Sequence, residues 1–341
     1  MRFSKKKRMA VISLDGFPHS LMTHLVQDGV FSSICHGMPR DRLQPMRSVV
    51  PTVSSVAWST YMSGVNPGGH GIFGFVDRDL KTFRLTLPNA ADRHGSTIWE
   101  DLGKKDIPCI VVNVPVTYPP VPINGILIGG FLGVNLDSIV TPPELHRLLK
   151  DQGYIIDADT STAASDPDGF LKQLAEIVQR RSDVFCCLLE QYPWQFAHLH
   201  IMETDRLFHF LWQHVAIPGS CYDGGIHAVF QAIDAAFARI VSTLEDSDEV
   251  VILSDHGFCE AVLEFDINAW LAQAGWFKWQ GTGDPGLHRL APGAQVYSLL
   301  PGRIYLMRNG REPGGSVNTV SAESITGQLI RDLEHMTIPG T

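Results

Sequence analysis

Polar and apolar positions along this chain of 341 residues fall into short runs that alternate in kind. "MAVISL" (9–14) is apolar almost throughout and stops at Asp15-Gly16. That is the profile of a parallel strand buried on both faces, delivering a carboxylate at its C-terminal end. Four further runs share the grammar: "IPCIVVNVP" (107–115), "GILIGGF" (125–131), "FAHLHIMETD" (196–205) and "EVVILSDHGF" (249–258). Between them, "TPPELHRLLKDQ" (141–152) and "DGFLKQLAEIVQRRSDVFCCLLEQY" (168–192) read as helices, with Thr141 placed to cap the first ahead of two prolines. Strands alternating with helices predict an α/β fold, a mostly parallel central sheet with helices on both faces. Catalytic groups in such sheets collect at the C-terminal edge of the strands. No internal repeat or low-complexity linker divides the chain, so a single domain over 1–341 is expected. The Gly- and Pro-rich stretch 278–316 is a candidate accessory lobe within it.

Composition narrows the function classes. With 44% hydrophobic and 18% charged residues the chain is an ordinary globular protein. A formal charge of −9 argues against a nucleic-acid polymer as partner and favours a small anionic substrate met by a local patch of cations. Cys35, Cys109, Cys186, Cys187, Cys221 and Cys259 form no CxxC pair, which suits small buried side chains in a reducing compartment. The start, "MRFSKKKRMAVISLDGF", is basic, but its apolar run breaks at Asp15, too soon for a signal segment or a membrane span. A cytoplasmic protein with no membrane partner is expected, and its oligomeric state is left open.

Three strand ends carry acidic or imidazole groups: Asp15 in "ISLDGF", Asp205 with His209 in "TDRLFHF", and Asp255 with His256 in "SDHGF". Asp205 and His209 are four apart, so on a helix they share one face, as two ligands of one metal ion need. The plainer reading is a helix-start carboxylate beside an unrelated histidine. Asp255-His256-Gly257 places two ligands on a tight turn, or else a carboxylate that caps the next helix. "SVVPTVSSVAWST" (48–60) holds six hydroxyl side chains, and composition alone does not separate a polar connector from a nucleophile.

Taken in order, these elements resemble the alkaline phosphatase superfamily, and most closely its type I phosphodiesterase and nucleotide pyrophosphatase branch. The resemblance runs through "LDGF", "VPTVSSVAWSTYMSGVNPGGHGIFGF", "VNVPVTYPP", "GFL", "TPPEL", "SDHGF" and "IYLMRNGREPGG". It implies a nucleophilic hydroxyl ten residues before the glycine of the Ser63-Gly64 pair that precedes Asn66-Pro67-Gly68-Gly69-His70-Gly71. That residue is Ser54, with Thr52 and Ser55 next in line. It further implies two divalent ions roughly 4 Å apart, one lowering the hydroxyl pKa and the other stabilising the leaving oxygen. Asp15, Ser54, Asp255 and His256 fall to one ion and Asp205 with His209 to the other. The mixed imidazole and carboxylate set suits Zn2+, with Mn2+ as the alternative. The implied activity is hydrolysis of a small phosphorylated substrate, of the phosphodiesterase or nucleotide pyrophosphatase type, through a phosphoserine intermediate. His70 belongs to the same turn and reads as structural.

Two departures from the family pattern stand out. Relatives complete the second metal site with a histidine near the C-terminus, and they continue for another hundred or so residues, so the chain reads as truncated. His288 has the expected "HR" neighbourhood but precedes "IYLMRNGREP" instead of following it, which suits a loop histidine; His335 is the other downstream histidine. Pyrophosphatases also place an asparagine three residues after the nucleophile, where this chain has Ala57; a backbone N–H near Ser55 is the expected substitute. Two alternatives follow: a phosphomutase or phosphotransferase on the same fold, or a binding protein that has lost the last metal ligand.

Overall fold

The computed structural model describes residues 7–37, 42–216, 219–283, 286–300 and 302–337. Lys5 and Lys6 of the basic start, three positions within 278–316 (284, 285 and 301) and the last four residues lie outside the described residues. The chain forms two compact units, Met1–Gly74 with Pro88–Glu260, and Phe75–Leu87 with Ala261–Thr341.

In the first unit, β1 (Met9–Leu14), β2 (Cys109–Val112), β3 (Gly125–Ile128), β4 (Val140–Thr141), β5 (Phe196–Ile201) and β6 (Glu249–Leu253) form one sheet, ordered β4-β3-β2-β5-β1-β6. Every neighbouring pair is parallel except β3 and β4. The period of two sorts each strand onto two apolar layers. Ala10, Ile12, Leu14, Ile110, Val112, Leu199 and Ile201 join the core built by the Pro167–Gln191 and Asp223–Ser242 helices. Val11, Cys109, Val111, Leu127 and Phe196 face the other way, onto Trp58 and Met62 of the Ser54–Ser63 helix and onto Trp99. Burying an apolar side chain of this size is worth roughly 1.5–3 kcal/mol, so a strand slipped by one residue would forfeit both layers. Both faces are thereby covered, as the unbroken apolar runs predicted.

Two local expectations fail. Thr141 caps no helix: it pairs with Leu127 in β4, and the helix that follows is a short turn at Pro143–Leu145 and then His146–Asp151. Pairing to β3 claims Thr141 before it can cap. The long helix begins instead at Asp166, whose carboxylate accepts from the Gly169 N–H at 3.0 Å. Asp255 caps no helix either, since the next one, Ile267–Gln273, is capped by Asp266.

The second unit has its own core of Leu271, Trp276, Phe277, Val296, Tyr297, Met307 and Leu329, and it contains the stretch 278–316. Arg78 donates to the Tyr297 hydroxyl at 2.7 Å and lies 3.3 Å from Glu312, tying the Asp77–Arg78 and Leu85–Thr86 hairpin to that core. No helix among the described residues is long and apolar enough to cross a membrane.

Candidate metal centre

β1 lies between β5 and β6, so its C-terminal end opens onto the ends of both neighbours. Asp15 follows β1 directly, its N–H donating to the Ile201 carbonyl of β5 at 2.9 Å. Beyond β5 the chain turns at once into the Glu203–Ala216 helix, which carries Asp205 in its first turn. Beyond β6 it leads into Ser254, Asp255 and His256. Three sequence-distant acids thus meet at one edge because three neighbouring parallel strands end there.

Gly16 makes the convergence possible. Its φ of +65° is left-handed, and a Cβ built there would stand 3.1 Å from His256 Cε1 and 3.3 Å from Asp205 Oδ1. A side chain at this position would be strained and would push the two ligand-bearing segments apart. The Gly16 N–H also donates to Asp255 Oδ1 at 3.0 Å.

Ser54 opens its helix, with Val53 as the cap residue, and is buried. Its Oγ donates to Asp15 Oδ1 at 3.0 Å and lies 3.0 Å from His256 Nε2. Ser55 is buried with its hydroxyl unpartnered, and Thr52 is exposed. Of the three hydroxyls the sequence offered, the structure brings Ser54 to the acidic edge.

Asp15 is held by two hydrogen-bond donors and by the close approach of a third group, the His200 imidazole. Ser54 takes Oδ1, while Trp58 Nε1 at 3.1 Å and His200 Nε2 at 3.0 Å take Oδ2. Burial pushes its pKa up, but the His200 contact, the nearby imidazoles and the Ser54 hydroxyl outweigh burial and hold it below the usual carboxylate range. Asp255 fares differently. Its Oδ2 is buried and takes no hydrogen bond, with His256 Nε2 3.4 Å away, and burial followed by the charge of Asp15 pushes its carboxyl up to about 8. His256 Nδ1 lies 2.8 Å from the Gly257 carbonyl, which can only accept, so Nδ1 carries a proton and Nε2 is the atom turned to the site. Burial lowers the His256 pKa, and the Asp255 and Asp15 carboxylates reverse that and raise it.

Asp205 is 7% exposed, and the helical spacing brings His209 Nε2 to 3.3 Å from its Oδ1. The His209 side chain is 58% exposed and sets its ring edge against Phe258, centroids 5.0 Å apart. Thr204 Oγ1 donates to the Asp15 carbonyl at 2.6 Å, linking this helix start to the β1 end. Ligand atoms of Asp15, Asp205 and His256 all lie within 4.8 Å of one another. His70 Nδ1 accepts from the Ile72 N–H at 3.1 Å, and its Nε2 lies 3.0 Å from Thr60 Oγ1 of the Ser54–Ser63 helix, which ties the turn to that helix. His288 sits in a short turn, Leu287–Arg289, of the second unit, and His335 ends the Thr319–Glu334 helix.

These residues fit a divalent cation. Two buried carboxylates and an imidazole crowd together, a third carboxylate beside them has an oxygen with no hydrogen bond, and burial with the charge of Asp15 raises the pKa of that third group, Asp255. The site wants positive charge and presents oxygen and nitrogen ligands for it. Sequence reading missed Trp58 and His200, which grip Asp15, and Ser48, whose hydroxyl donates to the Asp255 carbonyl at 2.6 Å. The signal for His200 was available: two histidines alternate in the otherwise apolar "FAHLHI".

A model of the family described as type I phosphodiesterase / nucleotide pyrophosphatase matches residues 9–337. No curated protein matches the sequence. Among solved structures, the fold is similar to phosphonoacetate hydrolase from Sinorhizobium meliloti 1021 in two complexes. With phosphonoacetate the TM-score is 0.59 at 13% identity, over 95% of this chain and 72% of that one; with phosphonoformate it is 0.50 at 14%, over 74% and 56%. This chain therefore spans between 56% and 72% of that hydrolase's length, and at such identity the likeness is one of fold. A match running from the first strand to beyond the last helix establishes that the chain belongs to the type I phosphodiesterase / nucleotide pyrophosphatase family.

Proposed function

We propose that the protein is a metal-dependent phosphoester hydrolase in which Ser54 is the nucleophile and Asp15, Asp205, His209, Asp255 and His256 hold two divalent ions, Zn2+ or Mn2+. One observation carries the reading: Ser54 Oγ stands 3.0 Å from both Asp15 Oδ1 and His256 Nε2, and the same His256 nitrogen is 3.4 Å from a buried Asp255 oxygen that takes no hydrogen bond. The ions, when bound, supply the positive charge that favours the serine alkoxide and the departing oxygen. The chain's residues do the rest. Asp15 accepts the Ser54 hydroxyl and so aims its oxygen; the helix that Ser54 opens directs backbone N–H groups and its dipole toward an incoming anion. Ser54 Oγ bonds to phosphorus as the ester oxygen leaves. Water then cleaves the phosphoserine, releasing phosphate or a phosphomonoester and restoring the hydroxyl.

The substrate class is a small phosphorylated metabolite, with phosphonates among the candidates because the similar fold binds phosphonoacetate. All six cysteines are free, but only Cys109 and Cys186 are buried as expected, with Cys35 and Cys187 half-buried and Cys221 and Cys259 exposed; free thiols at the surface are compatible with a reducing, cytoplasmic setting. The test is turnover against phosphomonoesters, phosphodiesters, nucleotide pyrophosphates and phosphonoacetate with added Zn2+ or Mn2+. Ser54→Ala is expected to lower turnover of the best substrate by about ten-thousandfold or more while the purified protein keeps its metal content. A variant that retained full activity would remove the nucleophile. Phosphate passed to an added alcohol, with none released to water, would point to a phosphotransferase.

A further inference from the structure

Behind the acidic edge runs a second line of polar groups. On β5 the period of two puts His198 and His200 on one face, and the register of β1 against β5 sets Ser13 directly opposite His200. Ser13 Oγ lies 2.8 Å from His200 Nδ1 and 2.8 Å from His198 Nε2. His200 Nε2 in turn stands 3.0 Å from Asp15 Oδ2, an ion-pair contact without the alignment of a full hydrogen bond; at that separation a proton must lie between the ring nitrogen and the carboxylate. All three residues are completely shielded from solvent. Their walls are aromatic: the Trp58 ring is 4.8 Å from that of His200, and the Tyr61 ring 5.3 Å from that of His198.

We infer that Ser13, His198 and His200 form a buried, one-directional chain of hydrogen bonds that fixes the Asp15 carboxylate from behind, making His200 a positioning residue for the cation-binding edge. The direction follows from the inventory of donors. An ionised carboxylate only accepts, so His200 Nε2 carries the proton. A neutral His200 then presents a bare Nδ1, to which the single Ser13 proton is given. Ser13 Oγ in turn accepts from His198 Nε2–H, leaving His198 Nδ1 bare, and that atom is buried without a partner. Burial, with the neighbouring His200, holds the His198 pKa well below its ordinary value, in keeping with a neutral ring.

A pair of buried imidazoles is a costly filling for a strand that elsewhere packs Phe, Ala, Leu and Ile. An unpartnered buried polar atom costs about 1–3 kcal/mol. What the chain gains is geometric. Trp58 and His200 together occupy Oδ2, so Asp15 is locked with Oδ1 toward Ser54 and His256. Outer groups that orient a metal-binding side chain change metal affinity or activity by about 10–100-fold when removed. The cation-dependent part of this inference rests on the hydrolase reading above; the chain of hydrogen bonds does not.

Two measurements test it. In the metal-free protein, nitrogen-15 correlation spectra of the histidine rings are expected to show His200 as the Nε2–H tautomer with a slowly exchanging ring proton. Ser13→Ala should shift the ring signals of both histidines. A His200 protonated at Nδ1, singly or together with Nε2, overturns the chain. Calorimetric titration with Mn2+ or Zn2+ then compares His200→Phe, which loses the donor, with His200→Gln, whose amide N–H can reach Asp15. His200→Phe is expected to weaken the tighter site at least 10-fold, His200→Gln to stay within about 3-fold of wild type, and Ser13→Ala to fall between them. Equal affinity in His200→Phe and wild type, or equal loss in the Phe and Gln variants, overturns the positioning role. Should His200→Phe not fold by circular dichroism, Ser13→Ala decides, and affinity within 2-fold of wild type overturns it. A wild-type protein that binds no divalent ion defeats the hydrolase reading, and the ring tautomers still decide the chain.

Discussion

Asp15 and Asp205 offer ligand atoms to the same small volume, yet they rest on different supports. Asp15 follows β1 directly and is fixed by hydrogen bonds from Ser54 and Trp58 and by the close approach of His200. Asp205 sits one turn into a helix and is steadied by ion pairs around it. Two residues earlier, Glu203 receives Arg181 at 2.6 Å, both completely buried, and Arg181 also donates to the carbonyls of Ile155 and Ile156. One residue later, Arg206 pairs with Asp157 at 2.6 Å and stacks its guanidinium over Phe131. The partner of Asp205, His209, is more than half exposed, whereas Ser54, Trp58 and His200 around Asp15 are all buried. The comparison teaches that one end of the edge is set in the sheet core, and the other hangs on a helix start that charges hold in place.

The sharpest way to break that contrast is to cut the charge support. Arg181→Ala leaves Glu203 ionised and buried without a partner, which is expected to cost about 3–5 kcal/mol in urea unfolding. If Arg181 steadies the Asp205 end, metal content should fall toward one ion per chain while the remaining ion binds with wild-type affinity. Equal weakening of both sites would mean that the edge is a single unit.

How much of this was legible in the sequence depends on how local each signal was. β1 was readable to the residue because a strand buried on both faces is apolar at nearly every position until it ends, Ser13 being the one polar residue within it. The DxxxH pair was readable because four residues make one helical turn. Asp255-His256 was readable as a polar pair closing an apolar run, but not as the member of the edge whose oxygen takes no hydrogen bond. The grip of His200 and Trp58 on Asp15 was not readable, because it depends on which strand pairs with which and in what register. Thr141 was misread for the same reason: an antiparallel partner, Leu127, decides its role from outside the local pattern.

A smaller effect separates the two buried carboxylates nearest Ser54. Asp255 carries a folded pKa of about 8, raised by burial and by Asp15. For a carboxyl raised in the folded state, stability is fully present below the unfolded value near 4 and is lost as pH climbs through the folded one. The metal-free protein should therefore lose stability between about pH 4 and pH 8, since each step asks for charge in a site that lacks a counter-ion. A divalent ion reverses the sign locally by stabilising the ionised form. Thermal midpoints with and without Mn2+ are expected to differ more at pH 8.5 than at pH 6; a difference that shrank with pH would mean that the ion does not replace that proton.

The smallest expected effect lies at the exposed end. His209 contributes one edge contact to Phe258 and a 3.3 Å approach to Asp205, with most of its side chain in solvent. Removing so exposed a group changes stability by at most about 0.5 kcal/mol. His209→Ala should therefore unfold with wild-type energetics, yet bind the second ion more weakly, since the spacing of four leaves Asp205 as the sole ligand that this helix face supplies. Mass spectrometry under native conditions counts the ions. A two-ion species as abundant in His209→Ala as in wild type would show that His209 is an ordinary surface histidine, and the contrast between the two ends of the edge would then be one of burial alone.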